Sequence, residues 1–400
     1  MNARSGPLGV VAVVAVILAF QVAAGDPTSY ATHREITPEH QVMAELVAAE
    51  WPNLEFSSPL ADAAQAIAEA GRDGHSPSSA AIRRALHDAG MPESTAVAAT
   101  VATTEEGPGD VLDHLTAVIV DAGPMTHVGL GRAPSSRPPF RWQWTILLID
   151  RRIDLIAQIP ATFEPMAAFP LQFEPRPQWH RPKILVQYPG GRTRRMTPVR
   201  RESSWFTVIP VGAEEGTLVV QILAENEIGP GVVAVMPINI GDPTPRKSEE
   251  RYGSILDKHS GITEPGAAAL FLWQTVNSER GDHGLVRLEW DARLADIAAK
   301  HSKDMLESDF FGHRSPSHGN LRRRLVAASY HAAISRENLA LDQDLMSAHL
   351  SLMASPGHRS NILASDVTHL GIGLVQQLSP DGPPLWIVTE VFASAPTDPP

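Results

Sequence analysis

Apolar residues recur at helical spacing early in the chain. Met43, Leu46 and Val47 mark one helix face, and Leu60, Ala63, Ala64 and Ile67 mark another. Two strand-like runs follow at 126–131 and 141–149, so residues 39–152 read as an α+β domain. The pattern then changes. KILVQY (183–188), SWFTVIPV (204–211), TLVVQILAE (217–225) and VVAVMPINI (232–240) are short, β-branched and separated by turns such as Pro189-Gly190-Gly191. That pattern predicts a β-sandwich of immunoglobulin type over 153–243. A charged stretch with prolines reads as a linker, placed at 244–262. Helical spacing returns in the last segment, 263–395. A helix from about 291 to 308 puts Leu294, Ile297, Ala298, His301 and Met305 on one face. A second carries Leu345, Ala348, His349 and Leu352 and stops at Ser355-Pro356-Gly357. THLGIGLVQQ and PLWIVTEVFA alternate as two strands.

The first and last segments repeat one another in order. LADAA (60–64) parallels LADIA (294–298), and GHSP (74–77) parallels GHRSP (312–316). IRRAL (82–86) parallels LRRRL (321–325), His114-Leu115 parallels His349-Leu350, and THVGLG (126–131) parallels THLGIG (368–373). The first copy has no GHRSNIL, and STAVAA (94–99) stands where the last segment has ENLA. Glu337 and His358 therefore have no counterpart. A copy that keeps its core and loses these groups implies that they do more than fold the domain. The first copy then reads as a structural or docking module.

Three polar residues of the last segment carry candidate chemistry. His313 lies past a helix end, after Phe310-Phe311-Gly312. Glu337 opens a helix or short turn, and His358 follows a Ser-Pro-Gly turn. Two imidazoles and a carboxylate suit a divalent metal site or an acid/base pair. His301 and His349 fall on apolar faces and read as core histidines. Asn338 reads as a holder of backbone groups, and Arg359 as a partner of an aspartate or of a substrate carboxylate. Ser355 and Ser315 are candidate nucleophiles, but neither sits in a G-x-S-x-G elbow. The chain has no cysteine, no H-E-x-x-H, no phosphate loop and no dinucleotide fingerprint.

Composition narrows the setting. The chain has 400 residues, 34 prolines and a net charge of −12, which argues against nucleic acid as a partner. Arg4, an apolar run from Leu8 to Phe20 and Val22-Ala23-Ala24 read as a signal peptide over 1–24. An uncleaved anchor is the alternative. After cleavage no stable membrane span is expected, and the protein is expected to be secreted or periplasmic. Arg192, Arg194, Arg195, Arg200 and Arg201 cluster in the middle segment, as a solvated hairpin or a face for an anionic surface.

HSKDMLESDFFGHRSP (301–316), ENLA (337–340), SPGHRSNIL (355–363), THLGIGL (368–374) and WIVTEVFA (386–393) come in one order. In that order they resemble the CAP superfamily of cysteine-rich secretory, antigen 5 and pathogenesis-related proteins, in its bacterial cysteine-free branch. The resemblance covers about 263–395. It implies a multidomain α+β protein with a C-terminal α-β-α sandwich, and makes the first segment a degenerate CAP-like copy. CAP domains carry a cleft tetrad of two histidines and two glutamates. His313, Glu337 and His358 match three members, and the fourth falls at about Ser355, with no carboxylate beside it. The resemblance thus implies a cleft of His313, Glu337, His358 and Ser355, whose His-Glu-His set would hold a divalent metal such as zinc. The expected function is binding, of a metal, an apolar small molecule or a cell-envelope component. The alternatives are a metal-assisted cell-envelope hydrolase or peptidase and a purely structural role, because CAP members share no single reaction.

Overall fold

The computed structural model describes residues 29–38, 40–71, 77–104, 109–122, 125–241, 262–378 and 384–396. The expected signal peptide, nearly all of the expected linker and the Gly74-His75-Ser76 part of the repeat lie outside the described residues. Among the described residues no helix is long and apolar enough to cross a membrane.

A short strand β1 (Ser29–Tyr30) precedes the first α/β unit. That unit contains α1 (Gln41–Glu50), β2 (Glu55–Phe56), α2 (Ser58–Ala70), α3 (Ser79–Asp88), β3 (Val97–Thr103), α4 (Gly109–Ala122), β4 (His127–Pro134) and β5 (Trp142–Ile149). Its sheet has the order β2-β4-β5-β3, with β2 parallel to β4 and the other pairs antiparallel. Alternation along the strands gives it two buried faces. Leu147 and Ile149 meet α2 and α3, while Ile146 and Leu148 meet α1 and α4.

Residues 153–240 form two sheets. The strands are β6 (Ile153–Leu155), β7 (Ile159–Pro160), β8 (Thr162–Phe163), β9 (Ala168–Pro175), β10 (His180–Gln187), β11 (Thr193–Met196), β12 (Val199–Arg201), β13 (Ser204–Pro210), β14 (Gly216–Asn226) and β15 (Gly229–Ile240). One sheet has the order β12-β13-β9-β6 and the other β11-β10-β14-β15-β8, while β7 pairs with β1. Inward residues of both sheets, among them Leu171, Phe173, Ile184, Val220, Ile222 and Met236, share one core. The arginine cluster lies on β11 and β12, edge strands of different sheets, and near the turn after β10.

The last unit contains α5 (Pro265–Asp282), β16 (Glu289–Trp290), α6 (Ala292–Glu307), α7 (Leu321–Ala327), β17 (Ser335–Asp342), α8 (Leu345–Ala354), α9 (Pro356–Ile362), β18 (His369–Gln377) and β19 (Leu385–Ala393). Its sheet has the order β16-β18-β19-β17, with β16 parallel to β18 and the other pairs antiparallel. This is the strand order and sense of the first unit. Val388 and Phe392 face the layer of α5, α8 and α9, while Val391 and Ala393 face α6 and α7. Asp291 caps α6 by accepting from Arg293 N and Leu294 N, a contact that stabilises by about 1 kcal/mol. Gly371 and Gly373 let α6 lie directly on β18, since a methyl on Gly373 would come within 2.0 Å of Ala299 N.

One equivalence of the repeat does not hold. His114 is exposed on α4, whereas His349 is fully buried on α8. A two-residue sequence match carries no helical phase, so it aligned side chains that point in different directions.

Candidate functional site

Strand β17 is an edge strand, and the candidate residues gather along it. Glu337 lies within this strand, paired with Val391 across β19, and does not open a helix or turn as expected. The reason is the run Ser335–Asp342, whose eight residues all pair with β19. His358 also differs from its expected loop setting. Pro356 starts a new helix, α9, and His358 lies in its first turn. His313 is in a loop, as its position past the α6 end implies.

Consecutive strand residues point to opposite faces, so Glu337 and Asn338 reach different helix layers. Glu337 faces α6 and α7. His313 Nδ1 lies 2.9 Å from Glu337 Oε1, and Arg324 of α7 donates to Oε2. Asn338 faces α9. Its Nδ2 donates to the carbonyl of His358 at 3.2 Å and to Glu390 Oε2 at 3.0 Å. Asn361 of α9 donates to Asn338 Oδ1 at 2.9 Å and to the Glu337 carbonyl at 3.3 Å. The edge strand thus ties His313 from one layer to His358 from the other.

Burial would raise the pKa of Glu337, but the hydrogen bond from His313 and the charge of Arg324 outweigh it. The carboxyl is held below the usual carboxylate range. An ionised carboxylate only accepts, so His313 Nδ1 carries the proton. In the neutral ring Nε2 is then the lone-pair nitrogen, on a side chain that keeps 25% of its surface exposed. His358 is half-buried, and loss of hydration together with the field of His313 pushes its imidazole down to about 3. It is a neutral base at physiological pH.

Four other residues shape the site. His301 is buried, as its place on the apolar face of α6 implies, and its Nε2 donates to the Gly312 carbonyl at 3.0 Å. It therefore anchors the loop one residue before His313. Glu390 has no exposed surface, and burial pushes its carboxyl up to about 7. Arg324 and Gln221 went unseen in the sequence. Arg324 is one of three consecutive arginines, and the one that helical spacing puts on the face of Leu321 and Leu325, a signal that could have found it. Gln221 belongs to β14 of the middle sheets. Its Nε2 donates to Ser355 Oγ at 2.7 Å, and its Oε1 accepts from Gly357 N at 2.9 Å. Ser355 is therefore occupied at a seam between units. Arg359 donates to His283 Nε2 at 2.7 Å.

Among the described residues no group of three or more His, Asp or Glu is arranged to hold a metal ion. Both oxygens of Glu337 are taken, one by a guanidinium that would oppose a cation. Direct ligation by Glu337 does not fit this arrangement. A pair of imidazoles, one of them oriented by a carboxylate behind it, does fit the chemistry of a metal grip.

The model of the cysteine-rich secretory protein family, CAP, matches residues 273–390. The uncharacterized membrane protein YlbC of Bacillus subtilis is 40% identical over 100 residues, which are 25% of this chain and 29% of that relative. The uncharacterized protein YkwD of the same organism is 33% identical over 104 residues, 26% of this chain and 40% of the relative. The chain thus spans well under half the length of either. Among solved structures, an extracellular protein containing a SCP domain from Bacillus anthracis aligns with 49% of this chain and 66% of its own, at 24% identity and a TM-score of 0.29. A cysteine-rich secretory protein from Staphylococcus aureus aligns with 61% of this chain and 81% of its own, at 14% identity and a TM-score of 0.27.

Proposed function

We propose, for a chain whose residues 273–390 form a CAP domain, that the β17 edge is the ligand-binding site of an extracytoplasmic protein. In this proposal His313 Nε2 and the His358 imidazole hold a divalent metal ion such as zinc, and the remaining positions on the ion are open to a cell-envelope or small-molecule ligand. Glu337 orients His313 from behind. Arg324 balances the charge of Glu337, and His301 steadies the loop. The single observation that carries this is the 2.9 Å contact of His313 Nδ1 with an ionised Glu337, which leaves Nε2 as the outward nitrogen. A hydrolytic role is less well supported, because Glu337 has no oxygen to spare as a base and Ser355 Oγ is engaged by Gln221. The extracytoplasmic setting rests on the N-terminal sequence.

The test is calorimetric titration of the folded chain with zinc chloride. One zinc per chain is expected, with binding at least tenfold weaker in His313→Ala or His358→Ala and abolished in the double variant. A wild-type chain that takes up no zinc, or a double variant that keeps full stoichiometry, would overturn the proposal.

We also infer that the first unit is a degenerate copy of the last, kept as a scaffold. The support is the shared register. His127 pairs with Ile149 as His369 pairs with Ala393, which equates Ala98 with Glu337, Ala99 with Asn338 and Ile146 with Glu390. By the repeat, Ile67 equates with His301 and Ala85 with Arg324. Every polar residue of this set is apolar in the first unit, and Ile67, Ala85 and Ala98 lie in one core there. The middle segment is read as immunoglobulin-like because its order β6-β9-β13-β12 opposite β10-β14-β15 follows the ABED and CFG sheets of that fold.

A further inference from the structure

Gln221 is a polar residue at an outward position of β14, between the inward Val220 and Ile222, yet it has no exposed surface. Its direct partners across the sheet, Leu185 and Val235, also point outward and are also buried. A row of outward residues is buried only where another unit covers it. Here Leu185 and Gln221 are covered by Gly357, whose missing side chain leaves Leu185 at 3.5 Å from where a methyl would stand.

The contact is made at a particular place. Ser355 precedes α9, where its own hydroxyl would ordinarily accept from the first free backbone N–H groups. It makes no such bond. Gln221, from another unit, supplies the acceptor for Gly357 N and donates to the Ser355 hydroxyl. His358 is the next residue. The turn at the far end of the same strand meets the other histidine. Arg314 N donates to the Ile228 carbonyl at 2.8 Å, and Gly312 packs on Ile228 so closely that a methyl there would lie 2.9 Å from it. Gly229 comes next, and a methyl on it would stand 3.6 Å from His313 Cβ. One hairpin therefore touches both histidine-bearing segments, at Gln221 and at Ile228. Within the last unit β17 also links the two segments, through Glu337 to the His313 ring and through Asn338 to the His358 carbonyl, and the hairpin adds bonds to the backbone N–H of Gly357 and of Arg314.

We infer that the β14–β15 hairpin, together with β17, sets the separation of His313 and His358, with Gln221 as a positioning residue. The site is then a property of two units together. The CAP domain supplies the imidazoles and holds them from β17, and the sandwich braces both segments from outside the unit. The zinc arm of the test rests on the metal-binding proposal; the exchange arm does not.

The experiment compares full-length wild type with Gln221→Met and Gln221→Glu. Methionine keeps the volume and loses both hydrogen bonds. Glutamate can accept from Gly357 N and from the Ser355 hydroxyl, and is the conservative rescue. Zinc affinity is read well below each melting temperature, and amide hydrogen exchange is followed at 355–363 and 311–315. Gln221→Met is expected to weaken zinc binding at least tenfold and to speed exchange at 355–363 at least tenfold. Gln221→Glu is expected to stay within about threefold of wild type on both. If Gln221→Met binds zinc like wild type, or leaves exchange at 355–363 unchanged, the inference is overturned. If wild type binds no zinc, the metal proposal fails and the exchange result alone decides this one. Should Gln221→Met not fold, Ser355→Ala removes half of the contact from the other side and is read the same way, with unchanged exchange overturning the inference.

Discussion

His313 Nδ1 stands 2.9 Å from Glu337 Oε1, and this contact gives the imidazole its tautomer and its aim. The other oxygen of Glu337 holds Arg324, so one buried carboxylate serves an imidazole and a guanidinium.

The ion pair of Glu337 and Arg324 is almost wholly buried, with side-chain exposures of 4% and 7%. Removing one partner strands the other in a low-dielectric setting. Arg324→Met or Glu337→Met alone is expected to cost about 3 kcal/mol, and the double variant clearly less than the sum. Urea denaturation of the four proteins measures this. Additive losses would mean that the two side chains are not coupled.

Four histidines are held neutral by burial. His127 and His358 are pushed down to about 3, and His301 and His349 to about 4. Each binds a proton in the unfolded chain at pH values where the folded chain does not. Stability from these groups is therefore lost as pH falls from about 6.5 toward 4. Asp342 and Glu390 act in the opposite sense, being raised to about 6 and about 7. The histidines are more numerous, so the protein is expected to be at least about 2 kcal/mol less stable at pH 5 than at pH 7. Urea midpoints across that range check it, and a flat profile would contradict it.

Glu390 isolates the opposite effect. Its folded pKa of about 7 lies above the unfolded value of 4.5, so its contribution is complete below pH 4.5 and is lost as pH rises through 7. Gln cannot ionise and can still accept from Asn338 Nδ2. Relative to wild type, Glu390→Gln is expected to gain about 3 kcal/mol between pH 4 and pH 8. Parallel stability curves for the two proteins would show that the carboxyl is not buried as described.

The glycines of the two long central strands are expected to be intolerant of a side chain. A methyl on Gly373 would lie 2.0 Å from Ala299 N, and one on Gly131 would lie 2.1 Å from Gln65 N. Each neighbour is helix backbone and cannot swing away. Gly373→Ala and Gly131→Ala should each cost at least about 3 kcal/mol. Gly266→Ala, in the first turn of α5 with nothing within 4 Å, should instead stabilise by about 0.5 kcal/mol. Thermal melts of the three variants separate close approach from a general penalty for losing glycine.

Periodicity alone determined much of this protein. The alternation in THLGIGLVQQ and PLWIVTEVFA marked both central strands, and the face of Leu294, Ile297, Ala298 and Met305 marked α6, because each element buries apolar side chains at its own repeat. His301 was legible as a core residue for the same reason. Glu337 was not legible as a strand residue. A run such as SRENLALD has polar groups on both faces, and both faces are buried only because β17 is an edge strand wrapped by two helix layers. Among Arg322, Arg323 and Arg324, helical spacing puts only Arg324 on the face of Leu321 and Leu325, but the carboxylate on β17 that satisfies a charge buried there was not legible. Gln221 gave no signal at all, since a lone polar residue at an outward strand position is ordinarily solvated. Local sequence reports what an element hides against its own neighbours. Polar burial between separate units depends on where two distant surfaces meet, and that was decided only by the tertiary structure.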